Sequence, residues 1–253
     1  MKRYKILSTV IACMLVLIGM IILLNTDTHH KTAHASIIPA MAHSPSHDTL
    51  PPKLAPLPIT LPVAQFVGTP PNLAGIPKLE RLQETDHPPF LAPKGAVNIA
   101  WGKRVKSSVH DPIMGELDWV TDGDKEATGG SQVELDPFTQ SITIDLEQQH
   151  EIYAILFWHD HKQAQVYSDV VVQVSNDPDF IFDVKTLFNN DHDNSSQQGI
   201  GMDKHYVETH YGKLIDAKGI AARYVRLYSN GNNANDQNHY LEVEVFGVPV
   251  LAE

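Results

Sequence analysis

Beyond residue 140 the apolar side chains recur at every second position, and this confines that part of the chain to strands. Ile142, Ile144 and Leu146 alternate with Thr143 and Asp145, while Val170, Val172 and Val174 share one face of the stretch 169–175. A period of two puts successive side chains on opposite faces of a sheet, so each run buries one face and wets the other. The stretch 152–158 is apolar on both faces, the pattern of a central, covered strand. Further strands are predicted near 180–188, over 224–228 and over 241–246, with a turn at Asn176-Asp177-Pro178-Asp179. Long helical periodicity is absent. Short strands separated by turn-rich loops predict an all-β domain over 96–249, an antiparallel jelly-roll sandwich of about eight strands.

Proline separates that domain from what precedes it. Thirteen of the 17 prolines fall within 25–93. Proline fixes φ and removes a backbone donor, so residues 26–95 are predicted to form an extended, semi-rigid stalk with one helical turn at 78–84. Its five histidines, His29, His30, His34, His43 and His47, read as solvated spacer residues. Ahead of the stalk, 6–24 is a run of 19 residues without a charge. As a helix it spans ~28 Å, the depth of a bilayer core. Lys2, Arg3 and Lys5 precede it, which orients the N-terminus to the cytoplasm and everything after Asn25 outward. Residues 1–25 are therefore expected to be a single-pass signal anchor. The alternatives are cleavage at Ala33-His34-Ala35, well past the apolar run, and lipidation of Cys13.

Charge narrows the partners. The chain carries a formal −11, and from Ala96 onward 11 Lys/Arg face 25 Asp/Glu, a difference of −14. Such a surface repels phosphate backbones and anionic lipid and attracts cations, so nucleic acid is not an expected partner. The lone Cys13 excludes internal disulfides and multi-cysteine metal sites. No Gly-x-Ser-x-Gly elbow, His-Glu-x-x-His motif or phosphate-binding glycine loop is present, and no enzyme is expected. Glu208 with His210, or with any nearby Asp, could be cast as an acid–base pair, in a long insertion over 189–218. His159 and His161, two apart in an extended segment, either share a metal or serve as ordinary hydrogen-bonding residues.

Six ordered segments carry a resemblance. They are Asn98-Ile99-Ala100-Trp101-Gly102-Lys103 with Ser107-Ser108, Thr121-Asp122-Gly123-Asp124, Ile142-Thr143-Ile144-Asp145-Leu146, Val174-Ser175-Asn176-Asp177, Arg223-Tyr224-Val225-Arg226-Leu227 and Glu242-Val243-Glu244-Val245-Phe246-Gly247. Together they resemble the discoidin-like, or F5/8 type C, domains with their galactose-binding-like sandwich. The resemblance implies a structural calcium held by Asp122, Asp124, Thr128 and Glu242, aided by the carbonyls of Val120 and Leu241. The glycine of Asp122-Gly123-Asp124 lets the turn bend so that both carboxylates are offered. It also implies ligand loops at one end of the sandwich. Two loops are dense in aromatic, imidazole and amide groups, which suit sugar ring faces and hydroxyls, and they nominate Trp119, Trp158, His159, His161, Asn232 and His239. The expected function is a membrane-anchored, outward-facing glycan-binding module. The alternatives are a scaffold docking another envelope protein, or membrane contact through the apolar pair Ile113-Met114.

Overall fold

The computed structural model describes residues 53–250 apart from 67, 69, 71, 72, 83, 84 and 87. The expected anchor over 1–25 and the first part of the stalk lie outside the described residues, among which no helix is long and apolar enough to cross a membrane. The described chain is all-β with antiparallel pairing. In order come β1 (Leu54–Pro56), β2 (Leu91–Pro93), β3 (Val97–Asn98), β4 (Val105–Ser107), a 3-10 turn (Leu117–Thr121), β5 (Val133–Leu135), β6 (Gln140–Trp158), β7 (Val171–Ser175), β8 (Lys185–Asn189), β9 (Lys213–Ser229), β10 (Asn238–Tyr240) and β11 (Glu242–Pro249).

Seven strands make the main sheet, ordered β3-β11-β6-β9-β7-β8 with β4 on the free side of β6. The two long strands account for the sandwich. Their pairing register breaks between Asp145 and His150 and again between Ile152 and Ala154. Bulges bend and twist a strand, so the two halves of β6 and β9 face each other across one core. Ile142, Ile144 and Leu146 from the first half of β6 meet Ile152, Ile155 and Phe157 from the second, with Val225 and Leu227 of β9 and Val243 and Val245 of β11. The alternation over 142–146 is the burial pattern observed.

The second half of β6 is covered on its other face as well, as its unbroken apolar run requires. Ala154, Leu156 and Trp158 join Leu241 and Phe246 in a second cluster, closed by Leu57, Ala92 and Ala96. From residue 53 onward the described part of the proline-rich stretch, expected to be a free-standing stalk, lies against the sandwich. The β1–β2 pair, the bonds from the Val63 amide to the Glu126 carboxylate, and the parallel bridge of Leu79 with His205 fasten it. The turn at 77–78 feeds that bridge, where a helical turn was expected. A proline-rich segment has few free amides, so it covers a sheet face through side chains and cannot extend the ladder.

Two boundaries differ from expectation. The second strand of the β7–β8 pair begins at Lys185, because Asp177 draws the apolar residues 180–182 into a turn: its carboxylate accepts the amides of Ile181 (2.9 Å) and Phe182 (3.0 Å). The insertion is shorter than 189–218, since β9 starts at Lys213.

Candidate functional site

The Asp122 turn and the last strand meet, as the family resemblance implied. Glu242 opens β11, and its Oε2 accepts the amide of Gly123 at 3.1 Å. Glu242 is fully buried and its Oε1 has no partner. Burial pushes its carboxyl up to about 8, with Glu244 and Asp122 adding repulsion and the Gly123 amide opposing. Beside it Lys125 pairs with Glu244, and its ammonium sits 4.8 Å from the Trp158 ring centre. A buried, half-satisfied carboxylate next to a second one suits a hard cation. Asp122 and Asp124 each accept the amide two residues on, at 2.7 and 3.0 Å. Thr128 is exposed.

Among the described residues, one trio of potential ligands lies within 4.8 Å, and it is Asp169, Asp191 and Asp193, not the expected set. Protein donors already occupy it. The Asn230 amide reaches Asp169 at 2.8 Å, and the Ser195 hydroxyl joins it. Burial works against the Asp191 charge, but the hydroxyl and amide of Ser196 and the amide of Ser195 outweigh it and hold the carboxyl low.

Most of the residues nominated for sugar contact turn inward. Trp158 is fully buried, and its indole N–H donates to the His210 carbonyl at 2.9 Å. His159 continues the inward parity of Phe157 and stacks on Tyr167 at 4.1 Å. Its Nδ1 lies 3.0 Å from Glu208 Oε2. Glu208 is therefore sealed in the core instead of facing His210. His161 is bonded to the Lys125 carbonyl at 3.0 Å, and His239 to the Tyr167 hydroxyl at 3.0 Å. These four are buried parts of the frame, and of them His161 lines a groove with Phe66 and Tyr211. Asn232 spends its side chain inside its own loop, on Asn235, Gln237 and Ala234. Trp119 is half-buried against the core and lies close under Gly115. His159 and His161 do not belong to a close metal trio.

The loop end does present one residue that the sequence reading passed over. Phe138, between β5 and β6, is 81% exposed with φ +68°. The fully buried Asn238 holds its turn. Asn238 donates to the carbonyls of Asp136 (2.7 Å) and Phe138 (2.9 Å) and accepts from Ser229 Oγ (2.8 Å) and the Gly231 amide (2.9 Å). One amide thus ties the Phe138 turn to the start of the exposed loop 233–236. A lone phenylalanine in a polar turn just after Pro137 was the available signal.

No family model and no curated protein matches the chain. Solved structures do align with it. A family 32 carbohydrate-binding module of AlyQ, in complex with 4,5-unsaturated mannuronic acid, is 20% identical, with TM-score 0.42 over 58% of this chain and 96% of that one. A chitosan-binding module of a chitosanase/glucanase from Paenibacillus sp. IK-5 is 19% identical, with TM-score 0.43 over 59% and 98%. The chain spans 15% of a family 89 glycoside hydrolase from Clostridium perfringens, at 19% identity and TM-score 0.43. The sandwich assignment rests on register and core, and the ligands named belong to those proteins.

Proposed function

We propose that the chain is a non-catalytic, discoidin-like carbohydrate-binding module, held outside a membrane by residues 1–25, that takes a sugar ring on Phe138. The observation that carries this reading is an exposed aromatic ring on a turn immobilised by a buried amide. Stacking on a ring carried by a backbone turn that is already held lowers the ordering cost at binding. Asn233, Asn235 and Asp236 on the adjoining exposed loop supply groups for hydroxyls. The uncharged run after Lys2, Arg3 and Lys5 supports the anchor. A structural calcium belongs to the same reading: Asp122, Glu242 and nearby carbonyls would hold it, supported by the unpartnered Glu242 Oε1. When bound, it supplies positive charge that joins the turn to β11.

The test is a glycan array with the 53–250 domain and its Phe138→Ala variant. Binding to a defined glycan that Phe138→Ala abolishes at unchanged melting temperature supports the site. Equal binding by both proteins removes it.

A further inference from the structure

The two outer faces of the sandwich are treated differently. The proline-rich segment covers the face formed by β11 and the second half of β6. The opposite face, built from β4, the first half of β6, the second half of β9 and β7, has no such cover among the described residues. Its side chains follow from register: Lys106 stands beside Thr143, Thr143 beside Arg226, and Arg226 beside Gln173. A groove of about 280 Å³ runs over this face, and a second of about 530 Å³, between the 101–104 turn and the 3-10 turn, adjoins it at Arg104 and Glu147, making a trough in two parts. Tyr224 lies in its floor, and Trp101, 71% exposed, stands at one end.

The charge here departs from that of the domain. Five of the 11 cations after residue 96 are on or beside this face: Lys103, Arg104, Lys106, Arg223 and Arg226. Of the four carboxylates that line the trough, two are already paired. Asp145 takes a two-pronged contact from Arg223 at 2.8 and 2.9 Å, and Glu147 pairs with Lys103. Arg226 bonds only neutral oxygens, Thr143 Oγ1 at 2.7 Å and the Pro178 carbonyl at 3.2 Å, and its guanidinium lies 4.0 Å from the Phe180 ring centre. Arg104 and Lys106 are exposed on one side of the trough and have no ion pair among the described residues. Lys106 and Arg226 are two strand spacings apart, roughly 10 Å, wide enough for one extended chain to lie between them. Asp118 and Asp122 close the Trp101 end with negative charge.

We propose that this trough is a second ligand site, separate from Phe138, which binds an acidic polysaccharide lying across the sheet with its anionic groups on Arg104, Lys106 and Arg226. A sugar chain spaces its charges one ring apart, which three cations without a direct ion pair among the described residues can meet; Lys106 also feels the Asp145 charge and Arg226 that of Asp177. A nucleic acid duplex carries one charge per ~1.7 Å and is repelled by the rest of the domain. Trp101 offers an exposed ring face at one end of the same line.

The experiment is affinity electrophoresis of the 53–250 domain at low salt in gels containing alginate, dextran sulfate or neutral dextran, with a duplex DNA arm. The proteins are the parent, Arg104→Ala/Lys106→Ala and Phe138→Ala. Both cations are exposed, so the double variant is expected to melt like the parent. Retardation by alginate or by dextran sulfate, but not by dextran or DNA, supports the site, and the polymer that retards names the anion as carboxylate or sulfate. The double variant is expected to bind at least about tenfold more weakly, and Phe138→Ala to bind like the parent. No retardation by either acidic polymer, equal retardation by DNA, or an unaffected double variant overturns the proposal. Loss in Phe138→Ala alone assigns the binding to the loop end and overturns it too.

Discussion

His159 Nδ1 lies 3.0 Å from Glu208 Oε2 in the interior of the sandwich, with neither side chain exposed to solvent. Burial pushes His159 down to about 3 from 6.5 and Glu208 up to about 8 from 4.5. Whichever of the two carries it, the native pair keeps one proton from about pH 3 to about pH 8. The unfolded chain holds two protons on these groups below pH 4.5, one between 4.5 and 6.5, and none above. The pair's contribution to stability therefore rises with pH from about 3 to 4.5, is level to 6.5, and falls from 6.5 to about 8, while Glu242, with its carboxyl raised to about 8, adds a separate decline from about 4.5 to 8. The alkaline loss from this pair is about 2 kcal/mol. Urea denaturation across that range is expected to show a decline, and Glu208→Gln is expected to make it shallower by this pair's share. A Glu208→Gln variant that loses stability between pH 6.5 and pH 8 as steeply as the parent would exclude the one-proton pair.

This pair also shows where sequence reading stopped. Period two placed Ile142, Ile144 and Leu146 on the core face, and the same rule carries inward parity from Phe157 to His159, yet imidazole in a loop-like stretch reads as a surface ligand. Nothing local reveals that Tyr167, Tyr206 and Tyr240 close over it, because those contacts come from two loops and from β10. The Glu242–Gly123 junction was legible from the family resemblance, which joins two stretches that spacing alone leaves apart. The cover formed by residues 53–96 was not legible. Proline predicts extension and says nothing of what the extended chain lies against. The trough was hidden as well, since its cations come from β4 and β9 and only register places them together.

Asn238→Ala tests how the Phe138 turn is held. The parent amide makes four hydrogen bonds at a fully buried position. Truncation leaves two carbonyls, a hydroxyl and an amide short of partners. A cost of roughly 2–4 kcal/mol is expected, since each unsatisfied buried group costs about 1–3. Thermal denaturation reads the loss. Glycan affinity at low temperature is expected to fall as well, because the turn beneath Phe138 is released.

Gly212→Ala and Gly102→Ala separate backbone strain from collision. Both glycines have φ near +65°. A Cβ at Gly212 falls 2.7 Å from Trp158 Nε1 and 2.8 Å from the Phe157 carbonyl, whereas at Gly102 it meets nothing within 4 Å. Gly102→Ala is expected to cost about 1 kcal/mol, the left-handed penalty alone. Gly212→Ala adds overpacking of about 1–3 kcal/mol. Urea midpoints that rank the two equally would mean that Trp158 moves aside freely.

Removal of residues 1–95 tests whether the proline-rich segment is part of the folding unit. Leu57 and Ala92 cover Ala154, Leu156 and Phe246, with Ile59 and Phe90 packed alongside. Apolar surface returned to water costs about 25 cal/mol per Å², and each large side chain uncovered costs about 1.5–3 kcal/mol. The 96–253 fragment is therefore expected to melt at lower temperature than the 53–253 chain and to bind a hydrophobic dye more strongly, since a contiguous apolar strip on a sheet face becomes exposed. Leu57→Asp in the longer chain is expected to move melting in the same direction without any truncation. Identical melting of the two lengths would mean that the segment rests on the sheet without stabilising it, and the boundary at residue 96 would then be the functional one.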